Sequence, residues 1–360
     1  MSENAAAETS AAGASSPALP PTNRDLAPEA ENATPTQSRA RRRFGGSGLA
    51  RNLGLVIALL LLCVAGFVTA GERFLSADNF TTIVAFAATV GIVSVGMTFV
   101  ITGGGIDLSV GSVLGLATVW ATTLATQTMA QDTHWIVMVF TALAVGTAAG
   151  LVNGIVVAYG RVVSFIATLA MLVGARGLAE IISGRRTQII NVTPFKSFFG
   201  GDVLGLPMIV WVFVVVAALG WVLLNRTTFG RRTIAVGGNP EAARLAGIKI
   251  QRHTMYLFAL AGFTAGIAAV TMMARTGAGT STHGMLLELD VIAAVVVGGT
   301  LLVGGRGTIV GTVLGVLIFA TLNNIFVLNN LSTSVQSVAK GAIIVLAVLL
   351  QQRFANKASG

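Results

Sequence analysis

Long uncharged apolar stretches alternate with short polar segments along most of this chain. A bilayer core about 30 Å thick is crossed by a helix of about 20 apolar residues. Uncharged stretches meeting that requirement cover residues 52–71, 79–106, 108–131, 133–160, 203–225 and 253–274. Residues 307–339 are uncharged too, but the polar string Asn329, Asn330, Leu331, Ser332, Thr333, Ser334 interrupts them. One helix is therefore predicted to end near Leu328 and another to start near Val335. Two further spans contain or abut charges: residues 162–183, with Arg176 and Glu180, and a short one from Asp290 to about Val303. The expected fold class is all-α, a polytopic transmembrane helix bundle of about ten spans.

Composition supports this reading. The chain is 54% hydrophobic and only 10% charged, too little polar surface to coat a soluble globule of its length. Residues 1–50 are expected to be a disordered cytoplasmic tail, because the stretch to Ser38 is rich in Ala, Ser, Thr, Pro, Asn and Glu and has almost no large apolar residues. Arg39, Arg41, Arg42 and Arg43 then precede the apolar run 53–70 and imitate an export signal ending at Val68, Thr69, Ala70. The many spans that follow make this first helix an anchor instead. A transmembrane domain is expected over 51–353, with a short cytoplasmic tail at 354–360.

The net charge of +9 matters through its distribution. With the amino terminus inside, sixteen Lys and Arg fall on inner segments and five on outer ones, which favours both termini in the cytoplasm. The arginines do not gather on a face interleaved with aromatics, so no nucleic-acid partner is expected. Cys63 is the only cysteine, which excludes a disulfide within one chain. His134, His253 and His283 are far apart in sequence, and no metal site is expected.

Glycine is abundant, at 43 residues, and small residues recur at helical spacing, as in Gly111 with Gly115 and Gly311 with Gly315. Such seams let helix backbones approach where lipid tails give no drive to associate. The run Gly104, Gly105 followed by Val110, Gly111, Ser112, Val113, Leu114, Gly115 is echoed by Gly304, Gly305 and Val310, Gly311, Thr312, Val313, Leu314, Gly315. The echo suggests two comparable helix-break-helix corners. In the first, Asp107 or Ser109 can cap the next helix or meet a solute.

Polar groups inside spans are costly unless they find partners, so each raises a question of function. Arg176 and Glu180, four apart on one helix, are expected to neutralise each other. Lys340 can either snorkel toward the membrane surface or pair with a carboxylate on another helix. Asp107, Asn153, Glu288, Asp290, Asn323 and Asn324 are the candidate pathway residues, with interhelical hydrogen bonding as the competing explanation. Gly305, Arg306, Gly307 and Gly311 resemble part of a dinucleotide fingerprint, but no strand precedes them. No Gly-Lys-Ser or Gly-Lys-Thr occurs, so the chain has no Walker loop to cradle ATP. No catalytic constellation is visible, and the chain is read as no enzyme.

The longest basic inner loop, residues 226–252, holds a compact helix signal. Gly237 and Gly238 lead to Asn239, a fitting N-cap; Pro240 suits the first helical position, Glu241 complements the helix start, Ala242, Ala243, Arg244 and Leu245 continue it, and Gly247 ends it. A short cytoplasmic helix follows, either a partner-docking element or a plain interfacial one.

Taken together, the segments Gly96 to Ser112, Gly150 to Gly154, Phe229 to Ile248, Glu288 to Thr300 and Gly304 to Thr308 resemble the ribose-type permease subunits of bacterial ABC transporters. The resemblance implies that two permease copies enclose a pathway for a monosaccharide such as ribose, galactose, xylose or arabinose. It also implies an ATPase subunit carrying ATP and Mg, an extracytoplasmic sugar-binding protein, and residence in the bacterial cytoplasmic (inner) membrane, with no cofactor in this chain. By the same resemblance, Gly237 to Gly247 form the coupling helix that docks in the ATPase. The alternative is a self-sufficient secondary sugar carrier, although the boundary position of the carboxylates suits ion coupling poorly.

Overall fold

The computed structural model describes residues 46–356, with the side chains of residues 52–343 and of Val345. Residues 1–45 of the tail expected over 1–50, and the last residues 357–360, lie outside the described residues. Fifteen helices and four short strands follow one another: α1 (Gly46–Ala70), α2 (Glu72–Leu75), α3 (Ala77–Thr102), α4 (Val110–Ala121), α5 (Leu124–Asp132), α6 (Ile136–Ala158), α7 (Ser164–Ser183), β1 (Gln188–Ile189), α8 (Thr193–Phe199), β2 (Asp202–Val203), β3 (Leu206–Pro207), α9 (Met208–Arg226), α10 (Thr228–Gly238), α11 (Pro240–Leu245), α12 (Ile250–Thr276), β4 (Ala278–Gly279), α13 (Leu287–Val297), α14 (Ile309–Leu328) and α15 (Thr333–Asn356). Helix α1 begins inside the stretch expected as tail, and α15 runs past residue 353.

The helices persist because their interiors lack proline. Among the described residues, Pro194, Pro207 and Pro240 all stand at or beside helix starts, where a missing N–H costs nothing. Ser76, Thr123, Thr227 and Thr308 cap other helix starts with their side-chain oxygens.

Among the described residues, seven helices are long and apolar enough to cross a membrane: α1 from Asn52, α3, α6, α7, α9, α12 and α14. The third expected span, 108–131, is instead broken. Helix α4 ends at Thr122, whose hydroxyl donates to its own Thr118 carbonyl, and Thr123 caps a separate α5. The eighth expected span is the 11-residue α13, about 16 Å long, too short to cross alone. It starts at Leu287 rather than Asp290 and stops before Gly298.

Helix α3 is the most deeply buried span and α1 the least. Helices α6 and α12 pack antiparallel and share the most extensive contact of the bundle. Their seam is backbone on backbone: a Cβ at Gly266 would lie 2.7 Å from the Ala142 carbonyl oxygen, one at Gly154 2.7 Å from that of Met255, and one at Gly262 2.8 Å from the Gly150 Cα. One end of the bundle is closed by β1 paired antiparallel with β4, by Gln127 bonding the Thr122 and Ile189 carbonyls, and by Trp135 packed among Phe195, Phe198 and Phe199. The other end carries α10 and α11.

Candidate functional site

Thr227 ends α9 with an extended backbone, and its hydroxyl oxygen accepts the Gly230 N–H at 3.3 Å, which starts α10. A Cβ at Gly230 would overlap the Leu224 carbonyl, so this turn closes only around glycine. Residues 228–238, part of the expected loop 226–252, are thus helical. Helix α10 was legible in the Thr227 cap and in Phe229, Thr233 and Val236, which share one face. That face anchors it: the Phe229 ring lies between those of Phe99 (6.1 Å) and His253 (4.7 Å), and the Thr233 hydroxyl is 2.9 Å from His253 Nε2.

Helix α11 follows directly. Asn239 is extended, its Oδ1 accepts the Ala242 N–H at 3.0 Å, and Pro240 occupies the first turn. At the far end the Gly247 N–H donates to the Arg244 carbonyl, the Ile248 N–H to that of Ala243, and Gly247 takes a φ of +81°. Only Ala243 is buried. Glu241 and Arg244 pair at 2.5 Å on the exposed side, and this hydrogen bonding pushes the Arg244 guanidinium up from its ordinary range. Leu245 is 77% exposed. The result is a small helix pinned at both ends that offers an apolar side chain and an ion pair outward.

The two glycine corners meet beside it. The Gly305 N–H donates to the Thr102 carbonyl at 2.8 Å, where α3 leaves an unpaired acceptor. A Cβ at Gly304 would lie 2.8 Å from the Gly237 carbonyl oxygen and 3.0 Å from the Gly104 Cα. Gly104, Gly304 and Gly305 hold φ values of +85°, +87° and +77°, a region open mainly to glycine.

Past the first corner, Asp107 is buried, and its Oδ1 accepts both the N–H (2.9 Å) and the hydroxyl (2.6 Å) of Ser109. Asn153 of α6 donates to the Ser109 oxygen at 2.8 Å. Two candidate pathway residues thus converge on one serine, and the network braces the corner. Ser164 and Thr168 of α7 secure the same loop by accepting the Ile106 and Leu108 N–H groups.

Deeper in the bundle, the chain after β4 doubles back along α4. Gly279 lies against Thr118 and Thr122; a Cβ at Gly115 would be 2.8 Å from the His283 carbonyl oxygen; Gly111 abuts Gly284 and Glu288. The starts of α4 and α13, two half-length helices, thereby face each other. Glu288 is buried there, and its Oε2 has no hydrogen-bond partner among the described residues. Leu286 before it is left-handed at φ +60°.

The expected Arg176–Glu180 pair does not form. Glu180 pairs with Arg185 at 2.9 Å, and Arg176 donates to the Ser281 and His283 carbonyls of the doubled-back segment. Four-residue spacing permitted the pair, but exposed Arg185 reaches Glu180 without desolvation while unpaired carbonyls claim Arg176. Asp290 pairs with Lys340 of α15 at 2.9 Å, the helix-to-helix alternative of the two open to that lysine. Asn324 exchanges amide hydrogen bonds with Asn79 at 2.6 and 3.1 Å. Asn323 lines a cavity of about 360 Å³ with Thr82, Phe86 and Arg275.

Residues 79–348 match the family described as branched-chain amino acid transport system / permease component. The ribose import permease protein RbsC of Escherichia coli K12 is 37% identical over 87% of this chain and 97% of its own length. The L-arabinose ABC transporter permease protein AraH of Azospirillum brasilense is 37% identical over 88% of this chain and 92% of its own. The galactofuranose transporter permease protein YtfT of Escherichia coli K12 is 38% identical over 76% and 80%. No solved structure matches the chain. The chain, a multi-pass membrane protein, therefore belongs to the ABC-transporter permease family, with the ribose-type sugar-import permeases as its relatives.

Proposed function

We propose that this chain forms the translocation pathway of a binding-protein-dependent ABC importer for a monosaccharide, working in the bacterial inner membrane as one of two permease copies. The reading takes its substrate class from the relatives, whose names specify ribose, arabinose and galactofuranose. The observation that carries it is α11, a capped helix with Leu245, Glu241 and Arg244 turned outward at the end that holds the basic loop. A helix built to be gripped suits a motor that lies outside this chain. ATP and Mg belong to that partner ATPase, and an extracytoplasmic protein delivers the sugar. Residues 237–245 and Gly247 dock; Asp107, Asn153, Glu288, Asp290, Asn323 and Asn324 lie along or brace the pathway. Ten crossings, with both termini cytoplasmic, complete the reading: α4 with α5, α13 with its flanking loops, and α15 add to the seven long helices.

Nucleotide-driven closure of the ATPase pair shifts the docked helices and biases the bundle between inward-facing and outward-facing states. The test is Ala242→Trp, which places a bulky ring on the exposed side of α11. Uptake of labelled D-ribose, L-arabinose or D-galactose into cells should be abolished and co-purification of the ATPase lost, with normal membrane insertion. Normal ATPase association in that variant, or wild-type uptake that persists without the ATPase, would overturn the assignment.

A further inference from the structure

Three separate chain segments converge, backbone to backbone, where α10 hands over to α11. Gly237 and Gly238 form the last residues of α10 and immediately precede Asn239, the cap of α11. A Cβ on Gly237 would overlap the Thr102 carbonyl oxygen and stand 2.7 Å from the Gly305 nitrogen. One on Gly305 would stand 2.7 Å from the Gly238 Cα, and one on Gly304 3.0 Å from the Gly104 Cα. The Gly305 N–H to Thr102 bond ties the two corners to each other. Thr102 is further enclosed by Gly307, whose Cβ would overlap the Thr102 hydroxyl, and Thr98 touches the Thr312 hydroxyl at 2.8 Å.

Both half-length helices feed this junction. The first corner runs through Asp107 and Ser109 into α4. The second runs back through Gly299 and Thr300 into α13, closed by the Leu301 N–H to Arg306 carbonyl bond, and forward into α14. Flexible side chains between moving parts absorb displacement by changing rotamer. Backbones in direct contact have no such slack, so they pass displacement on.

We infer that Gly237 is a positioning residue: with the Gly104 and Gly304–Gly305 corners it forms a clasp that carries movement of α11 to α4 and α13 together. The inference rests on the importer reading above and adds the route by which docking reaches the pathway. Because both half-helices end at one clasp, they are displaced in one event rather than in sequence.

A matched pair of substitutions tests it. Gly237→Ala forces a methyl into the clasp, whereas a Cβ at Gly174 of α7 meets nothing within 4 Å. Both changes replace a helical glycine by alanine, so general effects on helix propensity are shared. Each variant is reconstituted with its ATPase and binding protein in proteoliposomes, and three readouts are taken: assembly, ATP hydrolysis, and uptake of labelled D-ribose, L-arabinose or D-galactose, whichever the wild type imports. The expected result for Gly237→Ala is normal assembly and continued hydrolysis with uptake reduced about tenfold, and near wild-type uptake for Gly174→Ala. Uptake in Gly237→Ala within about twofold of wild type would overturn the proposal. So would equal losses in the two variants, or failure of Gly237→Ala to assemble, which would assign the contact to bundle folding. If the wild-type complex imports none of the three sugars on ATP, the importer reading fails, and the clasp with it.

Discussion

Asn79 and Asn324 illustrate how this bundle holds its polar groups. Each amide donates to the other, and Asn79 also donates to the Phe74 carbonyl at 2.9 Å, so both residues are buried with their hydrogen-bonding groups engaged. Removing one partner strands the other, at a cost of about 1–3 kcal/mol. Asn324→Ala should therefore lower the thermal unfolding midpoint in detergent, and the Asn79→Ala, Asn324→Ala double variant should lose clearly less than the sum of the singles. Strictly additive losses would show that the amides are not coupled. Glu288 is the opposite case, a buried carboxyl group with one oxygen that has no hydrogen-bond partner among the described residues. The sequence marked Asn324 and Glu288 as polar groups in apolar surroundings but not Asn79, and nothing along the chain could tell a paired amide from a carboxylate without a partner, because Asn79 and Asn324 lie 245 positions apart. Arg176 shows the same limit: its choice of carbonyls depends on a segment more than a hundred residues away.

At the scale of helices, the tightest joint is the one between α6 and α12. Gly146, Gly150 and Gly154 recur every fourth residue; the first two face Gly262 and Gly266 across it, and Gly154 faces Met255. A larger side chain has nowhere to go, and overpacking costs about 1–3 kcal/mol or more. Gly262→Leu should yield little folded protein by size-exclusion profile, while Gly174→Leu, on the open face of α7 with nothing within 4 Å, should be tolerated. Equal behaviour of the two would contradict the packing. The long helices and α11 were legible because uninterrupted apolar runs and the Asn239, Pro240, Gly247 signals act locally. The break at Thr122–Thr123 was not, since threonine within an apolar stretch reads equally well as helix interior. The doubled-back segment 279–288 escaped for a different reason: its path is set by the glycine face of α4, a tertiary surface.

For the whole molecule, the decisive property is which end faces which compartment. Asn239 and Ser197 are both exposed and lie at opposite ends of the bundle. In a Cys63→Ala background, Asn239→Cys should react with a membrane-impermeant maleimide only after the membrane is opened, and Ser197→Cys should react in intact cells. The reverse pattern would invert the orientation and remove α11 from reach of any cytoplasmic motor. The charge ledger bears on this polarity because it counts loops rather than contacts. Which helices move together is visible only in three dimensions. A joint made of interlocked main chains has no intermediate positions to slide through, so α6 and α12 must travel as a single body. They form the keel of the molecule, and any rocking that opens a passage has to pivot elsewhere, around the short helices that begin in its interior.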